Sequence, residues 1–354
     1  MQKIKVLVID DSVSVRNLIT EILNQDPEIQ VIGVASDPYE AVAKIAEELP
    51  DVITLDIEMP RMNGLTFLSK LMKQHPLPVV VISSVTGEGS DIGIKALKLG
   101  AREIITKPLI LSNKQLEEYS IRITDAVKAS ALSGKNPFIK GNIEKGRNED
   151  TGASIKISQG SAEIKPVSKK VILIGASTGG TEVISKILKN VRTDLPGILI
   201  VQHMSGEFTG AFAKRLNAES NLMVKEAEDG DIVRNGCAYI ANGYCHLQLK
   251  KEKGIYTCRL EMGSLINRHR PSVDVLFKSA CNFPPNEITA ILLTGMGADG
   301  AMGLYELKQA GAMTLAQDEK SSVIFGMPKE AIKLDAAKQI VNPDELIKWL
   351  NTTF

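Results

Sequence analysis

The stretch Val171-Ile172-Leu173-Ile174-Gly175-Ala176-Ser177-Thr178-Gly179-Gly180 decides the fold of the second half of this 354-residue chain. Four consecutive aliphatic residues predict a buried parallel strand, and the glycines after them predict a tight turn into a helix. Ser177 lies in that turn, within a G-x-S-x-G pattern. Such a turn presents a side chain at the carboxyl edge of a sheet, beside the free N–H groups of the next helix. This geometry suits a nucleophile or a bound phosphate, and the motif alone does not choose between them.

The length and composition of the chain predict two domains of an ordinary soluble protein. Lys+Arg and Asp+Glu both total 42 and aromatic residues make up 4%, so we expect no nucleic acid partner. The chain has no apolar run of transmembrane length, and its first apolar run stops at Asp10-Asp11, too early for a signal peptide. The four cysteines lack C-x-x-C spacing, which favours reduced thiols. We therefore expect a cytoplasmic protein with no direct membrane insertion.

Strict alternation of strands and helices in the first third of the chain predicts an α/β fold with a doubly wound parallel sheet. Each predicted strand is short, apolar and followed by a helical pattern, of which Leu116–Leu132 is the last. The predicted strands are Ile4–Ile9, Val31–Ala35, Val52–Leu55, Val79–Ile82 and Glu103–Thr106.

Polar side chains follow four of these five strands, at the edge where parallel sheets bind ligands. They are Asp10 and Asp11, Asp56, Ser83 and Lys107. Three converging carboxylates would repel one another without a hard cation, and oxygen ligands of this kind suit Mg²⁺. The lysine and the hydroxyl complete a pocket for a phosphoryl group.

Residues 1–125 resemble a response-regulator receiver domain, which has a flavodoxin-like fold. The resemblance is carried by the acid pair at 10–11, Leu55–Pro60, Asn63-Gly64, Ser83 and Lys107-Pro108. It implies that Asp56 is the phosphoacceptor and that Asp10, Asp11 and the backbone carbonyl of Glu58 help to hold Mg²⁺.

The same resemblance implies that Ser83 and Lys107 contact the phosphoryl oxygens, and that the bond before Pro108 is cis. Ile104 departs from the family pattern, because receivers often have an aromatic residue three positions before the lysine. Residues 126–168 are expected to hold the end of the last receiver helix and a flexible linker, since 133–168 is polar, rich in Gly, Ser, Asn and Lys, and lacks periodicity.

The C-terminal domain, residues 169–354, resumes the alternation with a predicted helix at Thr181–Asn190 and a strand at Ile198–Val201. Residues 222–261 instead show short segments broken by glycine turns, which predict antiparallel hairpins. The segments are Ala238–Ala241, His246–Lys250 and Tyr256–Glu261. The expected fold is thus α/β, with a parallel sheet and antiparallel hairpins.

A dinucleotide site fits this domain poorly. It needs a second glycine where this chain has Ser177, and an acid at the end of the next strand, where this chain has Gln202-His203. A nucleophilic serine needs a histidine base, and His203 follows the strand expected to neighbour that of Ser177. The other three histidines fit less well: His75 belongs to the first domain, His246 to the hairpins, and His269 to a loop where substrate contact or solvation is expected.

The carboxylate that orients the histidine has two candidates, Asp299 and Asp318, which both follow predicted strands. The residue patterns leave both open. The order serine, histidine, aspartate differs from the order in α/β-hydrolases, so the G-x-S-x-G match does not indicate that fold.

Several motifs of this domain together resemble the catalytic domain of the CheB family of chemotaxis protein-glutamate methylesterases. They are Gly175–Gly180, Gln202–Met204, Arg270–Asp274, Thr294–Gly300 and Gln317–Pro328. The order receiver, linker, esterase is also that of the family.

The resemblance implies Ser177 as nucleophile, His203 as base and Asp299 as the orienting acid, with the N–H groups of Met296 and Thr178 receiving the oxyanion. It implies a phosphorylation-activated hydrolase that removes methyl esters from glutamate side chains of methyl-accepting chemotaxis receptors and deamidates receptor glutamines. A chemotaxis histidine kinase would be the phosphodonor, and Mg²⁺ would serve only the receiver, with no cofactor for hydrolysis. The alternative is a receiver-controlled binding protein without enzyme activity, which predicts a basic recognition helix within 170–354; the sequence shows none.

Overall fold

The computed structural model describes residues 3–84, 89–107, 112–134 and 165–354. The predicted linker lies largely outside these residues, as does the bond before Pro108. The described chain contains two parallel sheets with helices packed against them and one two-stranded antiparallel hairpin. None of the helices in these ranges is long and apolar enough to cross a membrane.

The first sheet has five parallel strands in the order β2-β1-β3-β4-β5, which confirms the predicted doubly wound sheet. Its strands are β1 (Ile4–Ile9), β2 (Ile29–Ala35), β3 (Val52–Asp56), β4 (Val79–Ser83) and β5 (Glu103–Thr106). Its helices are α1 (Val13–Gln25), α2 (Pro38–Glu47), α3 (Gly64–Gln74), α4 (Gly89–Lys98) and α5 (Asn113–Gly134). Alternate residues of β1 enter separate apolar clusters, so both faces of the sheet are buried.

The second sheet has seven strands in the order β14-β13-β12-β6-β7-β9-β8. Its strands are β6 (Val171–Ala176), β7 (Gly197–Gln202), β8 (Met223–Glu226), β9 (Cys237–Ile240), β12 (Ile288–Leu292), β13 (Met313–Gln317) and β14 (Gln339–Val341). The helices are α6 (Gly180–Asn190), α7 (Gly206–Glu219), α8 (Val273–Ser279), α9 (Ala301–Gln309), α10 (Met327–Lys333) and α11 (Pro343–Thr353). The fully buried strand β6 lies in the middle and carries Ser177 just beyond its carboxyl end.

The region predicted to form antiparallel hairpins contains one, made by β10 (His246–Glu252) and β11 (Ile255–Glu261). The assignment of Ala238–Ala241 to a hairpin is wrong, because β9 pairs in parallel with both β7 and β8. All four residues of β9 are buried between those strands. A short apolar run between turn residues looks the same in either arrangement, so strand direction depended on the rest of the sheet.

The two sheets and their helices meet along α4, β5 and α5. Helix α4 packs on α7, with Gly93 against Phe208 and an ion pair of 2.7 Å between Lys98 and Glu219. A cavity of about 620 Å³ lies beside this contact and is lined by β5, α5 and the residues around Ser177. The carboxyl edge of the second sheet is therefore covered by the first.

Candidate active site

Ser177 occupies a tight turn that the surrounding backbone holds in place. Its N–H donates to the carbonyl of Thr294 at 3.0 Å, and its carbonyl accepts from the N–H of Gly180 at 2.8 Å. Gly179 has a φ of +82°, a left-handed conformation that favours glycine at the start of α6. Gly295 packs so closely that a Cβ there would lie 2.6 Å from that of Ser177. The glycines of the motif thus shape the serine turn rather than a phosphate cradle.

His203 lies beside this turn because β6 and β7 are neighbours in the sheet. Ala176 and Gln202 are register partners, and the N–H of His203 donates to the carbonyl of Ala176 at 3.0 Å. Ser177 and His203 are therefore the first residues beyond two adjacent strand ends. Both line the cavity, as predicted from their positions in the sequence.

Asp299 is the candidate carboxylate that contacts His203 in the structure. Its Oδ2 lies 2.9 Å from His203 Nε2, and it also accepts from Ser272 Oγ and Asn267 Nδ2, each at 2.8 Å. Asp318 instead accepts from the backbone and side chain of Ser321, within its own turn. Of the two candidates, only Asp299 has a hydrogen bond to His203 in the described residues.

The environment of Asp299 keeps its carboxyl group ionised. Burial by itself would raise the pKa of Asp299, but the hydrogen bond and charge of His203, with the donors from Asn267 and Ser272, hold that pKa well below its usual range. The N–H of Val273 adds a bond of 2.6 Å. A carboxylate with so many donors is both charged and fixed in orientation.

The contact to Asp299 uses Nε2 of His203 and leaves Nδ1 without a hydrogen-bond partner in the described residues. An ionised carboxylate can only accept a hydrogen bond, so the nitrogen that faces it must carry the hydrogen. We therefore assign the hydrogen to Nε2 and the lone pair to Nδ1. Ser177 Oγ likewise has no hydrogen bond to His203 in the described chain. Long or absent catalytic hydrogen bonds are common before substrate binds.

His269 contacts His203 in a way that the sequence did not predict. The two rings stack with centroids 3.7 Å apart and planes inclined by 15°. Burial lowers the pKa of His269, and the neighbouring His203 lowers it further, so His269 stays neutral. The sequence left substrate contact and solvation open for His269; the structure places it in the lining of the cavity, packed on the His203 ring.

Two backbone N–H groups near Ser177 have no acceptor among the described residues, those of Thr178 and Met296. Both residues line the same cavity as the serine. Unpaired donors at this position are what an oxyanion requires. The Thr178 side chain is already engaged, since its Oγ1 donates to Glu103 Oε2 at 3.0 Å.

The predicted acidic cluster is present at the carboxyl edge of the first sheet. Asp10, Asp11 and Asp56 each offer an oxygen, and these oxygens lie within 4.8 Å of one another. Lys107 Nζ forms buried ion pairs with Asp10 Oδ2 at 2.8 Å and with Asp56 Oδ2 at 2.7 Å. Three hard oxygen donors fit Mg²⁺, which keeps several waters.

Burial raises the pKa of Asp56 to about 6, despite the opposing effect of Lys107. The N–H of Glu58 donates to Asp56 Oδ1 at 3.2 Å. Ser83 is buried at the end of the neighbouring strand, where its Oγ donates to the carbonyl of Ser84 at 3.3 Å. The residues predicted from the receiver motifs thus occupy one edge of one sheet.

The side-chain contacts that cover Ser177 could not be predicted from the sequence. Glu103 of β5 reaches Thr178, while Arg268 and Arg270 form ion pairs with Asp125 and Glu118 of α5. These partners are far apart in the chain and follow no motif. Only the packing of one sheet on the other brings them together.

Comparisons with known proteins agree with this geometry. The CheB methylesterase family model matches residues 172–350, and the response regulator receiver domain model matches residues 6–119. The protein-glutamate methylesterase/protein-glutamine glutaminase of group 3 operon from Rhodopseudomonas palustris is 47% identical over 98% of this chain and 96% of its own length. A second relative, protein-glutamate methylesterase/protein-glutamine glutaminase 2 from Oleidesulfovibrio alaskensis, is 47% identical over 96% of this chain and 95% of its own length.

A solved structure shows the same arrangement in the C-terminal half. The crystal structure of the Thermotoga maritima CheB methylesterase catalytic domain is 38% identical to this chain, with a TM-score of 0.51. The match covers 53% of this chain and 100% of that one. The chain therefore belongs to the CheB methylesterase family, with a response regulator receiver domain preceding its methylesterase domain.

Proposed function

We propose that this chain hydrolyses γ-methyl esters of glutamate side chains on methyl-accepting chemotaxis receptors, with Ser177 as the nucleophile. The observation that carries this proposal is the state of His203. Its Nε2 lies 2.9 Å from Asp299 Oδ2, its Nδ1 has no hydrogen-bond partner among the described residues, and the residue lines the same cavity as Ser177. The ring is thus oriented and its free nitrogen can take the serine proton.

In the first half of the reaction, Ser177 Oγ attacks the ester carbonyl carbon and its proton passes to His203 Nδ1. The imidazolium that forms is stabilised by ionised Asp299. The tetrahedral oxyanion is received by the N–H groups of Met296 and Thr178, each worth about 3–4 kcal/mol to the transition state. When the carbon–oxygen bond breaks, methoxide takes the proton from Nδ1 and leaves as methanol.

In the second half, water attacks the acyl-serine while His203 Nδ1 accepts its proton, and collapse of the intermediate returns the proton to Ser177. The products are a glutamate carboxylate and free enzyme. A glutamine side chain can pass through the same intermediate, with ammonia as the leaving group, which accounts for a glutaminase activity. Neither half uses a cofactor.

Regulation is the second part of this proposal. We propose a receiver at 1–125, a helix end and flexible linker at 126–168, and a catalytic domain at 169–354. Asp56 would accept a phosphoryl group from a chemotaxis histidine kinase in the cytoplasm. Asp10, Asp11 and the Glu58 carbonyl would hold Mg²⁺, which neutralises charge on the phosphoryl oxygens, and Ser83 and Lys107 would contact those oxygens.

The receiver covers the catalytic crevice in the described structure, through Glu103 on Thr178 and α5 over the cavity. This contact supports inhibition that phosphorylation relieves. A small phosphodonor should therefore raise the rate of methanol release by the full chain. Asp56→Asn should abolish that response while leaving the basal rate; a preserved response would contradict phosphorylation at this residue.

The catalytic proposal is tested by Ser177→Ala with methylated receptor as substrate. Methanol release should disappear, because the variant has no nucleophile, and the far-ultraviolet circular dichroism spectrum should be unchanged. Ser185→Ala provides a matched control, because Ser185 lies on α6 and donates to Glu219 instead. Undiminished release by Ser177→Ala would exclude the serine mechanism and favour a binding protein controlled by the receiver.

A further inference from the structure

Two arginines of one loop face the cavity beside the catalytic residues and are both occupied by acids of α5. Arg268 Nη2 lies 3.3 Å from Asp125 Oδ1, and Arg270 Nη2 lies 3.2 Å from Glu118 Oε2. The four side chains line the same cavity as Ser177. Two acids of α5 therefore lie against a pair of guanidinium groups next to the proposed nucleophile.

The two acids, Glu118 and Asp125, are spaced so that they lie on one face of α5. Glu118 and Asp125 are seven residues apart, which is two turns or about 10 Å along α5. They stand on the same side of the helix, toward the cavity. The arginine pair is thus matched to a helix that carries two carboxylates two turns apart.

The loop holds the arginines at a fixed place relative to the catalytic residues. Asn267 donates to Asp299 at 2.8 Å, and His269 stacks on His203. Ile266 and His269 exchange backbone hydrogen bonds of 2.9 and 3.0 Å. Asn267 and Arg268 both have left-handed backbones, with φ of 52° and 69°. Such strained positions cost energy and recur at ligand-binding sites, where the surrounding structure holds them.

The bonds from the arginines to α5 are weak for charged groups. Charge-assisted hydrogen bonds between nitrogen and carboxylate oxygen are about 2.7–2.9 Å long, whereas these are 3.2 and 3.3 Å. Arg270 Nε has no hydrogen-bond partner in the described residues. Arg270 Nη1 donates to the carbonyl of Gly263 at 2.7 Å, whereas the contacts of Nη2 of both arginines with α5 are long enough for a better-placed carboxylate to replace them.

We propose that Arg268 and Arg270 form a subsite for acidic residues of the substrate helix, and that α5 occupies this subsite as an internal substitute when the receiver is docked. This inference rests on the proposed esterase function and deepens it. The subsite binds two carboxylates two turns apart on the helix that bears the ester. The cavity between α5 and Ser177 leaves room for the ester-bearing side chain. Undocking the receiver then exposes the serine and the arginines together.

The test uses the phosphorylated full chain and two helical peptides, each with a single glutamyl γ-methyl ester. One peptide has glutamates seven residues apart on the face of the ester, and the other has glutamines there. For the unmodified chain we expect kcat/KM to be about tenfold higher for the acidic peptide, mainly through KM, as two weak ion pairs predict. In Arg268→Gln/Arg270→Gln the two peptides should be hydrolysed with kcat/KM values equal within about twofold, because the variant lacks the charges that distinguish them.

Three further variants make the result specific. Arg259→Gln removes an exposed arginine of the hairpin strand β11, which forms an ion pair with Asp229. This control variant should keep the higher kcat/KM for the acidic peptide. Arg268→Lys/Arg270→Lys should recover part of the preference, because charge is retained. Glu118→Gln/Asp125→Asn should raise the unphosphorylated activity and keep the preference of the phosphorylated form.

The possible outcomes separate this inference from the function it rests on. If the unmodified chain hydrolyses neither peptide but also releases no methanol from methylated receptor, the proposed function fails. If it hydrolyses both peptides equally, or if the double glutamine variant keeps its preference for the acidic peptide, the arginine subsite is wrong while the esterase stands. Loss of the preference at higher salt in the unmodified chain would agree with exposed ion pairs.

Discussion

Thr178 Oγ1 donates a hydrogen bond of 3.0 Å to Glu103 Oε2, across 75 positions of sequence and between the two domains. Thr178 directly follows the proposed nucleophile, Ser177. Glu103 begins β5, and the other end of that strand leads to Lys107, which contacts Asp56 at 2.7 Å. A single four-residue strand therefore joins the proposed phosphoacceptor site to the residue beside the proposed nucleophile.

Glu103 should make receiver docking depend on pH. Burial raises the pKa of Glu103 to about 7 from 4.5, against the effects of the Thr178 bond and of Arg122. A docked carboxyl with a raised pKa holds its proton more firmly than the undocked one. Docking is then favoured at low pH and loses this contribution as pH rises through about 7. The negative charge of Asp125 also raises the pKa of Glu103.

We therefore expect the ratio of unphosphorylated to phosphorylated esterase activity to rise between about pH 5 and pH 8. Glu103→Gln keeps an acceptor for Thr178 but cannot ionise, so it should lower the unphosphorylated rate at pH 8 and remove the dependence. Methanol release across this range measures both forms. An equal slope in the variant would show that another group titrates.

Gly93 is needed for α4 to lie against α7. A Cβ at Gly93 would stand 2.7 Å from Phe208 Cε1, and the buried Phe208 ring has little freedom to move. Gly93→Leu should therefore force the receiver away and raise the unphosphorylated rate severalfold, although leucine favours the helix itself. Lys95→Leu, at an exposed position of the same helix, is the control and should leave that rate unchanged. Methanol release without phosphodonor measures the effect, and an unchanged rate in Gly93→Leu would contradict an inhibitory role for this contact.

Asp299 should be far more important for catalysis than Asp318. Asp299→Asn replaces an ionised acceptor of His203 by a neutral amide, so the imidazolium loses its counter-charge and its orientation. We expect kcat to fall by about 10³–10⁴-fold. Asp318→Asn should change kcat by less than about twofold, because the Asp318 carboxylate accepts from Ser321 in its own turn and has no contact with His203 in the described residues. Steady-state kinetics of both variants on one methylated receptor measure the two values of kcat. A larger fall of kcat in Asp318→Asn than in Asp299→Asn would assign the orienting role to Asp318 instead.

His269 should act as a positioning residue through its stack on His203. Removing the ring in His269→Ala leaves His203 free to tilt, and we expect kcat to fall about tenfold with KM nearly unchanged. His269→Phe keeps a flat ring and should recover most of the rate. Equal losses in both variants would instead indicate a direct role for the imidazole nitrogens, which the pH profile of kcat would then show.

The sequence by itself determined the strands, the serine turn and the acidic cluster. Val171–Ala176 is a run of buried aliphatic residues, and the glycines that follow shape the turn through rules that act over a few residues. Ser177 and His203 could be paired in advance because adjacent parallel strands place their carboxyl ends at one edge. The same rule placed Asp10, Asp56 and Lys107 together.

Only the tertiary structure decided the contacts that no local rule reaches. Asp299 and Asp318 both follow strands, and the five donors around Asp299 are set by how α8 and the 266–271 loop pack. Strand β9 took its direction from its neighbours in the sheet. Glu103 meets Thr178, and α5 meets Arg268, because one domain docks on another. Docking depends on the shape and charge of whole surfaces, whereas sequence periodicity reports only which face of each element is buried.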